Sequence, residues 1–177
     1  MASYQLTATL VGGTKLKQAL ANGGQFAREQ VAIALNKAAN DVEQKARELA
    51  PHKTGALWGS LHVGGKNNAG RNATPDNLTA IVGTNLEYAR YQEEGTGIYG
   101  PKKALIYPKN GKFMAFVPYG NVVDAGTGGG VAVFARSVKG VKPHWYLKQA
   151  FESVKPNFTN YIQTAAQRIV QYLVEGS

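Results

Sequence analysis

The sequence lacks cysteine altogether, so neither a disulfide framework nor thiolate chemistry is available to its 177 residues. It also lacks any apolar run near the length of a membrane span, and its first residues show no basic segment followed by an apolar core. We therefore expect a soluble protein without a secretory signal. A chain of this length can bury about 70% of its unfolded surface as one domain, and we predict a single domain over residues 1–177.

Acidic residues are also scarce, with 11 against 20 basic ones and a net charge of +9. Such a surplus can attract nucleic acid or an acidic protein surface. The basic residues are scattered, and only three pairs lie close together: Lys102 with Lys103, Lys109 with Lys112, and Lys139 with Lys142. A dedicated nucleic-acid reader concentrates its cations on one face. A solvated surface is the simpler interpretation, and a DNA-binding accessory protein stays open as the alternative function.

The hydrophobic pattern predicts helices at both ends of an α+β fold. Residues 1–24 are expected to form a first strand and a short helix, followed by a long helix over 25–50 that Pro51 ends. Steps of three and four put most of its apolar residues on one face: Phe26, Val31, Leu35, Ala38, Val42, Ala46 and Leu49. Residues 143–177 are expected to be a C-terminal helical section, with a kink or break at Pro156.

Residues 51–142 are predicted to form the β-sheet region, with flexible loops at 64–77 and 119–130. A central strand is expected over 78–84, and Asn110-Gly111 indicates a hairpin between strands 104–107 and 113–118, because both residues of that turn need positive φ. A further strand is expected over 131–138. The predicted fold is thus an antiparallel sheet of four to six strands, covered by the N-terminal and C-terminal helices.

Motifs for chemistry are weak, and we predict no catalytic, cofactor-binding or metal site. Gly95-x-Gly97-x-x-Gly100 matches a dinucleotide fingerprint as a string, but Pro101 follows where a helix should begin. The three histidines have no ligand spacing with one another. Ser60 and His62 could face the same way on a strand, yet a hydrolase also needs an orienting carboxylate and oxyanion donors. A small hydrolase is therefore the least favoured class.

Three blocks of sequence resemble the tail-completion family of long-tailed phages, whose members join tail to head at the neck. The first is Pro51-x-x-Thr54-Gly55-x-Leu57 with Ser60-Leu61, and the second runs from Val82-Gly83-Thr84-Asn85 into Tyr88-Ala89-x-Tyr91-x-Glu93-x-Gly95-Thr96. The third is Lys142-Pro143-His144-Trp145-Tyr146-Leu147, before the last helix. The resemblance covers roughly residues 25–175. The chain departs from the family pattern at Lys53, where an acidic or polar residue is usual.

The resemblance implies a structural virion protein, not an enzyme, made in the host cytoplasm and assembled as a ring of six copies. Its implied partners are itself, the tail tube and the head connector or stopper proteins, with transiting DNA as a further contact. Residues of the two loops are assigned to subunit or partner contacts: Lys66, Arg71, Asn72, Asp76, Asn121, Asp124, Gly126 and Thr127. Residues of the three blocks are assigned to the family framework: Pro51, Thr54, Gly55, Leu57, Tyr88, Tyr91, Gly95, Pro143 and Trp145.

Overall fold

The computed structural model describes residues 3–5, 24–52, 55–64, 70–116 and 133–175. Their helices and strands follow the chain in this order: β1 (Ser3–Gln5), α1 (Gly24–Leu49), α2 (Ala56–Ser60), β2 (His62–Val63), β3 (Ile81–Gly83), α3 (Ala89–Glu94), a 3₁₀ helix (Gly97–Tyr99), β4 (Met114–Phe116), β5 (Val133–Ala135) and α4 (Tyr146–Glu175). The predicted α+β class and its two long helices are confirmed. The predicted short helix before α1 and the loop over 119–130 lie outside the described residues.

The chain divides into two compact units. Unit 1 comprises the described residues of Met1–Glu93 and His144–Ser177, and unit 2 those of Glu94–Pro143. The chain thus leaves unit 1 once and returns to it once. The expectation that residues 1–177 form a single domain stays a prediction.

The core of unit 1 lies between α1 and α4. The buried face of α1 contains six alanines, which allow the backbone of a second helix to approach closely. Tyr146 and Ile169 of α4 are completely buried. Phe26 stacks on Tyr172 with ring centroids 4.1 Å apart, near the start of α1 and the end of α4, so the two helices run antiparallel. Burial of these two faces supplies the main hydrophobic stabilisation of the unit.

A three-stranded antiparallel sheet with the order β1-β3-β2 completes unit 1. The central strand, β3, is buried at all three positions, as predicted for the segment 78–84. Val82 pairs with Tyr4 on one side and with Val63 on the other. A single sheet of four to six strands is not confirmed, because the other two strands of the described residues form a separate pair.

Unit 2 contains that second pair, in which β4 and β5 are antiparallel with Met114 opposite Ala135. An isolated bridge continues the pairing at Ile106 and Val138. The predicted hairpin at Asn110-Gly111 is therefore wrong: Gly111 has φ 87°, but Asn110 is absent from the positive-φ residues. Both predicted strands exist in part, but their partners come from the segment after residue 132, which a local turn signal does not indicate.

Helix α4 continues through Pro156, so the predicted break is wrong, and the kink expected as its alternative stays a prediction. Proline removes one backbone hydrogen bond and crowds the preceding turn. Buried residues lie on both sides of it, with Val154 before and Ile162 after, and both belong to the hydrophobic core. The shared burial against α1 offsets the local cost, and Pro156 itself is exposed to solvent.

Candidate assembly surface

The first framework block follows the end of α1. Gly55 has φ 74°, in the left-handed region that favours glycine, and it precedes the short helix α2. Leu57 enters the core with 3% exposure, and Pro51 is half-buried. Trp58 points outward instead, 46% exposed, with the guanidinium of Arg47 6.0 Å from its ring centroid. Thr54 lies outside the described residues.

A polar cluster ties α1 to the start of β2. Arg47 donates from Nε to the Leu61 carbonyl at 2.9 Å and contacts His62 Nδ1 at 2.7 Å. Its guanidinium also pairs with Glu43 at 3.1 Å. Since arginine can only donate, Nδ1 of His62 accepts this bond, and Nε2 is then free to donate to the Gly59 carbonyl at 2.9 Å.

Ser60 and His62, the pair considered for hydrolase chemistry, are both engaged in these structural contacts. The Ser60 hydroxyl donates to the Leu57 carbonyl at 2.8 Å and lies 2.6 Å from the Thr84 hydroxyl. His62 is held by Arg47 and Gly59 as described. This arrangement joins α2 and β2 to their neighbours in unit 1.

The second and third framework blocks meet at a buried carboxylate. Glu93 has no solvent exposure and accepts hydrogen bonds from the backbone amides of Leu147 at 2.9 Å and Lys148 at 3.0 Å. These are among the first amides of α4, which have no partner within the helix. Trp145, with φ 53°, donates its amide to the Glu93 carbonyl at 3.2 Å. Glu93 therefore caps α4.

The first predicted contact loop is partly anchored to α1. Asn36 donates to the Ala73 carbonyl at 2.9 Å and accepts from the Ala73 amide at 2.7 Å. Arg71, Asn72 and Asp76 lie around this anchor and are exposed. Residues 70–77 are therefore held against α1 within unit 1. This corrects the prediction of a flexible loop for that part of 64–77.

The other predicted contact residues of the two loops lie outside the described residues: Lys66, Asn121, Asp124, Gly126 and Thr127.

Of the framework residues in the second block, Tyr88 and Tyr91 are 39% and 56% exposed. At that exposure, part of each side chain is covered by the fold and part is open to solvent. They are therefore available to a partner as well as to the fold.

Glycines allow two segments of unit 2 to cross in close contact. A Cβ on Gly97 would lie 2.1 Å from the Lys139 carbonyl oxygen, and a Cβ on Gly140 would lie 2.2 Å from that of Thr96. The amide of Ile98 donates to Lys139 at 2.9 Å across this crossing. Gly95 also leaves no room for a side chain, because a Cβ there would lie 2.9 Å from the Pro143 ring. The glycine string thus serves backbone packing.

The surface of unit 2 is rich in exposed apolar side chains. None of its described hydrophobic residues is buried, whereas unit 1 holds the whole core. The large hydrophobic residues that unit 2 exposes, by 36% to 69%, are Ile98, Tyr99, Leu105, Ile106, Tyr107, Phe113, Phe116, Val133, Phe134 and Val141. Exposed apolar surface of this extent, among the described residues, is typical of an interaction site.

The same unit gathers the three lysine pairs that are scattered in the sequence. Together with Arg136 they make seven basic residues, and all seven are exposed. No acidic residue occurs in 95–116 or 133–143. Sequence reasoning missed this concentration, although one signal was available: between Glu94 and Glu152 the only acidic residue is Asp124.

Within the described ranges, no group of three or more histidine, aspartate or glutamate residues could hold a metal ion. In the same part of the chain no helix is both long and apolar enough to cross a membrane. The features that stand out are therefore surfaces, formed by the anchored loop and the aromatic residues of unit 1 and by the apolar, basic exterior of unit 2.

Comparison with known proteins finds a similarity between part of this chain and a bacteriophage tail component. Residues 14–95 match the family described as "Bacteriophage HK97-gp10, putative tail-component". The matched segment includes α1, the first framework block and β3, and it ends where the chain enters unit 2. The resemblance to a phage tail family is thus confirmed over this segment. No curated protein and no solved structure matches the chain significantly.

Proposed function

We propose that this chain completes the tail of a tailed phage and joins it to the head, as a ring of six copies between the tail tube and the head connector. The match of residues 14–95 to a tail-component family supports a place in the phage tail. The exposed apolar surface of unit 2 supports assembly with neighbouring proteins. The observation that carries the proposal is that unit 2 buries no described hydrophobic residue while it exposes ten large ones. A neighbouring protein would cover that surface.

The proposed mechanism is recognition without catalysis. A closed ring needs two different patches on each subunit, so that the front of one copy contacts the back of the next. We assign the first patch to the exterior of unit 2, including the predicted contacts Asn121, Asp124, Gly126 and Thr127. The second patch is the anchored loop of unit 1 with Arg71, Asn72 and Asp76, together with Lys66.

The size of such a contact is compatible with a chain of 177 residues. A stable interface buries about 800 Å² on each partner. Ten exposed large hydrophobic side chains, several of them aromatic, can supply the apolar centre of an interface of that size. The purified chain is expected to remain a monomer until its virion partners are present.

The test is electron microscopy of the particles made when the gene is disrupted in its phage. Filled heads beside unattached tails are expected, and expression of the wild-type chain in trans should restore joined particles. Normally joined particles in the disrupted strain would contradict the proposed role.

Variants can then assign the contact to unit 2. Tyr107→Gln with Phe134→Gln changes two rings that are 63% and 69% exposed, and the pair should fail to restore joined particles. Val174→Gln in α4 is the matched control, because Val174 is 71% exposed and lies in unit 1. All three changes remove exposed apolar surface, so folding should be unaffected. If only Val174→Gln failed to restore joined particles, the interface would be assigned to α4 and not to unit 2.

A further inference from the structure

The net charge of this protein is concentrated in unit 2. Seven basic and two acidic residues lie in Glu94–Pro143, so the unit carries +5 of the total +9 in fewer than a third of the residues. The basic residues of unit 1 occur among nine acidic ones, and several form ion pairs, such as Lys45 with Glu48 at 2.7 Å. The described segments 95–116 and 133–143 contain no carboxylate side chain at all.

The kind of cation distinguishes between possible partners. Six of the seven are lysines, and one is Arg136. Protein interfaces are enriched in arginine and depleted in lysine, since a hydrated ammonium is costly to bury. Arginine is the more common ligand of phosphate, but lysine also contacts it, as a point charge that can stay at the solvated surface. Exposed lysines therefore fit a solvated contact with a polyanion better than a buried interface with an acidic protein.

Two of the cations lie beside aromatic rings of the same unit. The guanidinium of Arg136 is 5.6 Å from the centroid of Phe113, and the ammonium of Lys142 is 5.9 Å from that of Tyr99. A ring at this distance attracts a cation and restricts where its long side chain points. Less entropy is then lost when the charged group contacts a ligand.

We propose that the lysines of unit 2 contact the phosphate backbone of duplex DNA without reading its sequence. This inference goes beyond head-tail joining and does not rest on it, because it follows from the charge and exposure of unit 2 alone.

The test is a titration of the full-length chain against a fluorescent 30-base-pair duplex of arbitrary sequence, with anisotropy read between 50 and 200 mM NaCl. Each phosphate neutralised should contribute about −0.9 to the slope of log affinity against log salt. The double variants Lys102→Gln with Lys103→Gln, and Lys139→Gln with Lys142→Gln, should each reduce the magnitude of that slope by up to about 1.8. A second duplex of unrelated sequence should bind equally well.

The matched control is Lys45→Gln with Lys155→Gln. It removes the same charge, +2, from two exposed lysines of unit 1 that each pair with a glutamate. The control should retain the wild-type slope, and the melting temperatures of all variants should agree with that of the wild type. An equal loss in the control would show that net charge alone drives binding and would overturn the proposal, as would undetectable binding at 50 mM NaCl.

A competitor of the other class completes the test. Poly-L-glutamate at a charge concentration equal to that of the duplex should displace the DNA only weakly. If it binds as tightly and with the same dependence on the unit 2 lysines, the surface is suited to an acidic protein, and the assignment to DNA fails.

Discussion

The buried carboxylate of Glu93 accepts the amide hydrogen of Leu147 at 2.9 Å, although the two residues are 54 positions apart in the chain. This bond satisfies an amide at the start of α4 and places a negative charge at the positive end of the helix dipole. It also fixes the place where the chain returns to unit 1 after unit 2. One residue thereby connects the second framework block to the third.

Glu93→Ala should lower the free energy of unfolding by about 2–4 kcal/mol, because one buried and one partly buried amide lose their acceptor. Chemical denaturation followed by circular dichroism measures the change. Glu48→Ala is the control: Glu48 is half exposed, and its ion pair with Lys45 lies at the surface, so the loss should stay below about 1 kcal/mol. Equal effects of the two changes would refute the capping role.

Gly55→Ala should destabilise the protein by about 1–2 kcal/mol through its backbone alone, since an L-residue is strained at φ 74°. Nothing lies within 4 Å of the added methyl group, so no steric clash contributes. Gly59, four residues later in α2, has equally open surroundings and an ordinary helical φ. Gly59→Ala should be neutral or stabilise by up to about 1 kcal/mol. Thermal unfolding of both variants tests the contrast, and a neutral Gly55→Ala would contradict it.

Gly97→Ala should disrupt the crossing in unit 2, because its methyl group would lie 2.1 Å from the Lys139 carbonyl oxygen. The added steric cost is about 1–3 kcal/mol beyond the backbone strain. Gly111→Ala isolates the strain, since Gly111 also has positive φ but open space around it. Limited trypsin digestion, which cuts after the exposed lysines of unit 2, should be several-fold faster for Gly97→Ala than for Gly111→Ala. Identical digestion rates would show that the close approach is not needed.

The free energy of unfolding should decrease as the pH rises above about 10, because Tyr161 then loses its phenolic proton. The hydrogen bond that Tyr161 donates to Asp41 raises the pKa of its phenol above the ordinary value of 10.0, and burial and the aspartate charge act in the same direction. Because the folded pKa lies above the unfolded one, this contribution is fully present below pH 10 and is lost as the pH rises through the folded pKa.

Tyr161→Phe provides the comparison for that prediction. Denaturation midpoints measured from pH 8 to pH 11.5 should fall more steeply for the wild type than for Tyr161→Phe in the alkaline range. The absorbance of ionised tyrosine should also show one late-titrating group in the wild type that is absent from the variant. Parallel stability curves would contradict the assigned hydrogen bond.

Sequence reasoning predicted the elements whose signals are local. The 3.6-residue period of apolar side chains predicted α1 to within a residue at each end. The apolar run around Val82 predicted the central strand β3. Each of these features depends on residues within a few positions of one another, so a pattern in the sequence contains the necessary information.

The features that sequence reasoning missed depend on distant contacts. Asn110-Gly111 signals a turn, but β4 pairs with β5 across 16 residues, so the hairpin partner was misassigned. Pro156 stays inside α4 because of burial against α1, which no window around the proline reveals. The cationic exterior of unit 2 combines segments on either side of residues 117–132; the scarcity of acidic residues between Glu94 and Glu152 signals the charge, but the exposure of all seven cations is seen only in the folded chain.

The chain enters and leaves unit 2 at neighbouring points. The carbonyl of Gln92, just before unit 2, accepts the amide hydrogen of His144, just after it, at 2.8 Å. The family match also stops here, at residue 95. A segment bounded in this way behaves as a cassette, because fifty residues could be exchanged for a short linker without moving the ends that unit 1 holds together. The framework of unit 1 could therefore be engineered to display a foreign cassette at the same junction.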